Sequence, residues 1–140
     1  MRSLFSQWSQ TQVMLCLTVL VAWMVFGCSS MASLDPAEQS VKSFVEEKGG
    51  MVETKDGHIV TVWCESANLQ DSDLEQFAAL PQLSALYLNY NSDITNDVFS
   101  MFDNMPTLKT LELAETKISQ RAADKFREVH PEMSVSGPGV

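Results

Sequence analysis

Three stretches of the chain repeat one another at offsets of 24 and 25 residues. Leu83-x-x-Leu86-x-Leu88-x-x-Asn91 recurs as Leu108-x-x-Leu111-x-Leu113-x-x-Thr116, and an earlier copy reads Ile59-x-x-Val62-x-Cys64-x-x-Ala67. The second halves correspond as well: Leu69 with Ile94 and Ile118, then Phe77 with Phe102 and Phe126, then Pro81 with Pro106 and Pro131. A chain with such a period is tightly constrained, because each unit is one supersecondary piece that buries its apolar side only against its neighbours. Within a unit the alternation predicts a short strand, with Val62/Cys64, Leu86/Leu88 and Leu111/Leu113 facing inward. Thr95 and Ser119 stand where a hydroxyl can satisfy the free N–H groups of a helix start, and Ser72-x-x-Glu75 has capping-box spacing. The prolines stop each helix because they cannot continue it.

The pattern resembles the leucine-rich repeat, and within that family the short bacterial type with a 24 to 25 residue period. The resemblance implies an α/β fold: a right-handed solenoid of about three strand–helix repeats over 59–135, with a parallel sheet on the concave face and helices on the convex face. Residues 35–58 are expected to form an N-terminal cap. Its helix begins at Asp35-Pro36 and ends at Gly49-Gly50, and its hairpin turns at Asp56-Gly57. Met133 to Val135 is predicted as a last partial strand, and 136–140 as a flexible tail. For function, the resemblance implies a non-catalytic protein–protein interaction module.

Ahead of the repeats, Ser3 to Leu34 contains no charged residue, and Val13 to Phe26 holds 13 apolar residues out of 14. That run suits the core of a signal peptide and falls short of the ~20 residues of a membrane-spanning helix. Val25-Phe26-Gly27-Cys28 resembles a bacterial lipobox, although Phe26 departs from the small or β-branched residue usual there. The expectation is a signal peptide over 1–27, a lipidated Cys28 with a tether to residue 34, and export to a bacterial membrane facing the periplasm or the cell exterior. Multiple acyl chains on Cys28 would anchor the domain stably without a spanning helix. An uncleaved signal anchor and a secretory signal cut after Ala32 are the alternatives, and both also place the domain outside the cytoplasm. Once Cys16 is removed and Cys28 acylated, Cys64 has no partner for an intrachain disulfide.

From Cys28 onward the chain has 8 basic and 18 acidic side chains, a net charge of −10. Such a surface repels phosphate backbones, which argues against nucleic acid as a partner. The strand alternation places Trp63, Tyr87 and Glu112 in one row of the exposed sheet face, Thr61, Ala85 and Thr110 in a second, and Glu65, Asn89 and Ala114 in a third. Trp63, Tyr87, Glu65, Asn89 and Glu112 are therefore the candidate protein-binding residues, since Trp and Tyr dominate binding hot spots. A cross-strand aromatic pair also stabilises a sheet without any partner, so the two readings compete.

No residue is nominated for catalysis, metal or cofactor binding, and no small-molecule substrate is evident. Cys64 points inward, and His58 and His130 lack companion ligands at coordinating spacing. Asp71-x-Asp73-x-Glu75 resembles the opening of a calcium loop but lacks its glycine and distal glutamate, and acids in a first helical turn are favoured by the helix dipole. The alternative to an interaction module is a structural subunit of a larger cell-envelope assembly. An envelope enzyme with no recognisable motif is the weaker alternative.

Overall fold

The computed structural model of the chain describes residues 33–138. The expected signal peptide, lipobox and acylated Cys28 lie outside the described residues. Among the described residues, no helix is long and apolar enough to cross a membrane.

The domain opens with helix α1, Pro36–Glu47. Pro36 presets the first turn, and the Asp35 carboxylate accepts from the Ala37 N–H at 2.9 Å, so the start is fixed by two adjacent residues. Gly49, with φ of +82°, takes the left-handed position that ends the helix. Gly50 then passes so close to the Trp63 carbonyl and Val45 that a Cβ there would collide with both. This approach starts strand β1, Met51–Lys55, beside strand β2, His58–Trp63. Asp56 and Gly57 both have positive φ, 52° and 83°, as a two-residue hairpin turn of matching twist requires.

Strands β3 (Ala85–Tyr87), β4 (Thr110–Glu112) and β5 (Ser134–Ser136) follow in the order β1-β2-β3-β4-β5. The β1–β2 pair is antiparallel and the other three pairs are parallel. Val62, Leu86, Leu111 and Val135 stand in register and point into the core, where all four are buried. Short helices α2 (Glu75–Ala78) and α3 (Phe99–Phe102) and the longer α4 (Gln120–Val129) connect the parallel strands. Phe77, Phe102 and Phe126 from these helices close the core.

This architecture corrects the expectation of a leucine-rich-repeat solenoid with a parallel concave sheet. The domain is a small α/β protein with a five-stranded mixed sheet and four α-helices among the described residues, not a clear leucine-rich-repeat solenoid. β1 and β2 belong to the same sheet as the parallel strands and form its antiparallel end. A two-residue turn allows only antiparallel pairing, whereas each later strand is reached through a long crossover. The crossovers are also unequal. Helices α2 and α3 are single turns, each entered through a 3-10 turn (Asp71–Leu74 and Asn96–Val98), while α4 runs for 10 residues.

Thr95 and Ser119 act as caps, accepting from Asp97 N–H and Ala122 N–H, each at 3.3 Å. The box at the first crossover lies two residues before Ser72 and Glu75: the Gln70 N–H donates to Asp73 Oδ2 at 2.9 Å, which leaves Ser72 inside the 3-10 turn.

The buried amide of Asn91 ties the turns together. Its Oδ1 accepts from the Ala67 and Leu69 N–H groups, each at 3.0 Å, and its Nδ2 donates to the Cys64 and Leu88 carbonyls, each at 2.8 Å. The loops after β2, β3 and β4 turn through residues of positive φ, Ser66, Tyr90 and Glu115, so backbone groups there cannot all pair within the sheet. Asn91 supplies the missing partners on its side.

Candidate functional site

The sheet face opposite the core carries the candidate site. Register places Met51 beside Trp63, Trp63 beside Tyr87, Tyr87 beside Glu112 and Glu112 beside Ser136. The rings of Trp63 and Tyr87 are stacked, with centroids 5.6 Å apart and planes 12° from parallel. Both are half-buried, while Met51 is 65% exposed, so an apolar stripe runs across three strands toward solvent. The sequence pattern brings Trp63 and Tyr87 together. It does not assign Met51 to their row, because that placement depends on the hairpin register.

Two residues beyond the ends of β2 and β3, in the turns that follow, lie Glu65 and Asn89. Asn89 is not an exposed contact residue; it is 9% exposed and its amide is fully engaged. Its Nδ2 donates to Glu65 Oε1 at 2.7 Å and to Glu112 Oε2 at 2.8 Å, and its Oδ1 accepts from the Ala114 N–H at 2.9 Å. One amide nitrogen therefore holds two carboxylates close together beside the aromatic pair. Glu53, in the neighbouring row, accepts from Thr61 Oγ1 at 3.1 Å. Among the described residues, no Lys, Arg or His forms an ion pair with Glu53, Glu65 or Glu112.

His58, His130 and Asp71 have structural partners. His58 Nδ1 hydrogen-bonds Glu38 Oε1 at 2.7 Å, and Glu38 Oε2 accepts from the Ile59 N–H at 2.6 Å. Glu38 is buried at 3% exposure and pins α1 to β2, a role that its place on a polar stretch of helix gave no sign of. His130 hydrogen-bonds Asp103 at 2.8 Å and packs on the Phe126 ring at 4.4 Å. Asp71 accepts from both Thr95 N–H and Thr95 Oγ1, at 2.8 and 2.6 Å, linking successive crossovers. Among the described residues, no group of three or more His, Cys, Asp or Glu is placed to hold a metal ion.

Cys64 is fully buried, and burial pushes its thiol up from 9.0 to about 11, against a smaller opposing effect of Lys48. Between pH 9 and about 11 the folded protein keeps a proton that the unfolded chain loses, so the stability conferred by the neutral thiol is complete below pH 9 and declines across that window. Equilibrium unfolding at several pH values is expected to show this decline, with a shallower slope in Cys64→Ala. Equal slopes in the two proteins would contradict it. The same burial predicts that a thiol reagent at pH 8 labels Cys64 at least about 100-fold more slowly in the folded protein than in urea.

A second concavity, about 280 Å³, lies on the helical side between α3 and α4. Phe99 and Phe126, whose stacked rings have centroids 4.5 Å apart, line it. The chain matches no protein-family model and no curated protein sequence.

Proposed function

We propose that the domain is a non-catalytic protein-interaction module whose working surface is the open sheet face, held at a membrane outside the cytoplasm through Cys28. The observation that carries this reading is the half-exposed Trp63–Tyr87 stack beside two carboxylates tied to one amide. A stack that served only the sheet would contribute about 0.2–1 kcal/mol and would need no acids beside it. Holding Glu65 and Glu112 together without a counter-ion costs stability through like-charge repulsion, a cost that a binding partner of opposite charge would offset. The membrane location rests on the leader and the lipobox pattern alone.

The test is quantitative capture of cross-linked partners by the full-length protein and by its Trp63→Ala/Tyr87→Ala variant, after both are shown to melt cooperatively. Truncating hot-spot aromatics costs about 2 kcal/mol or more each, so the variant is expected to lose at least about tenfold of captured partner. Undiminished capture would refute the reading and would suit a structural subunit that leaves this face idle.

A further inference from the structure

We infer that the occupant of the open face is an extended cationic segment of a partner protein, with an Arg or Lys stem lying over the Trp63–Tyr87 rings and its charged head between Glu65 and Glu112. This inference rests on the interaction-module reading and specifies the partner's chemistry. The first support is charge beside the stack: the acids of the open face, Glu53, Glu65 and Glu112, have no Lys, Arg or His within ion-pair distance among the described residues, so a cation brought by a partner would complement them. The second is preorganisation. Asn89, itself held by the Ala114 N–H, fixes one oxygen of each carboxylate and leaves the other oxygen of each without a hydrogen bond from the described residues. A fork of N–H donors matches such free carboxylate oxygens, which makes Arg the better fit of the two cations.

The third support is spacing. Tyr87 ends β3 and Asn89 follows two residues later in the turn, a span of at most about 7 Å, which an Arg side chain can cover from its first methylene to its guanidinium. The apolar stem can therefore lie along the stacked rings while the head reaches the acids. Met51 extends the apolar stripe beyond Trp63 and would take an uncharged neighbour on the same segment. The net charge of −10 from Cys28 onward steers a basic segment toward the domain and repels acidic or phosphorylated ones.

The experiment pans a random octapeptide library with the full-length protein, its Glu65→Gln/Glu112→Gln variant and its Trp63→Ala variant. Gln can keep the oxygen that each Asn89 hydrogen bond uses, while it removes the charge and puts an NH2 group in place of the free oxygen. The expected result is that Arg and Lys are enriched about fivefold or more in the selected pool. The Glu→Gln variant should lose that enrichment, and the best peptide should bind Trp63→Ala about tenfold more weakly. Selection of neutral or acidic peptides that depend on Trp63 but not on the two carboxylates would overturn the cationic occupant and leave the binding face intact. Recovery of no Trp63-dependent peptide would overturn both.

Discussion

Replacing Asn91 with Leu is expected to lower stability by about 4 kcal/mol, a large share of the 5–15 kcal/mol typical of a domain. The substitution preserves approximate size and keeps water out, yet it strands the Ala67 and Leu69 N–H groups and the Cys64 and Leu88 carbonyls in a fully buried site. Each unsatisfied buried group costs about 1–3 kcal/mol, and local relaxation recovers part of the total. In urea this corresponds to a midpoint lowered by about 3 M for a domain of this size. A shift smaller than about 1 M would mean that the loops close without the amide.

The second large effect is at Glu38. Its carboxylate is the buried acceptor for the Ile59 N–H and for His58, and it couples α1 to the first parallel-paired strand. Glu38→Ala is expected to cost about 2–3 kcal/mol, because two polar groups lose their acceptor and a packed side chain is truncated. His58→Ala should cost less, since its side chain is 36% exposed and water can replace it. Equilibrium unfolding checks the ranking, and hydrogen exchange at Ile59 reports whether α1 has loosened. Equal losses from the two substitutions would contradict the assignment of the buried carboxylate as the principal tie.

The elements legible in the sequence are those that depend on local chemistry or strict period. Offsets of 24 and 25 residues put Val62, Leu86 and Leu111 at corresponding positions, and these three stand in register. Asp35-Pro36, Thr95 and Ser119 start helices because their capping chemistry needs only neighbouring N–H groups. The solenoid expectation failed where period alone was asked to settle global architecture. Period fixes which residues correspond, but the sheet is completed by a hairpin whose direction is set by Asp56-Gly57, and single-turn helices replace two of the expected full ones.

The site was legible in part. Strand alternation places Trp63, Tyr87 and Glu112 in one row, yet it treats Asn89 as one more exposed residue. Its burial and its double donation to Glu65 and Glu112 depend on β4 and the turns after β2 and β3 meeting, which no single segment records. His58 likewise looked isolated because its partner, Glu38, lies 20 residues away on a helix.

The central claim is that the open sheet face is the binding surface. Hydroxyl-radical footprinting of the protein in its native membranes, compared with the purified protein, tests it most directly. Protection of Met51, Trp63 and Tyr87 in the native membranes, with exposed Val129 on the helical side unchanged, is the predicted result. Protection of Val129 with Met51, Trp63 and Tyr87 fully reactive in both samples would contradict it.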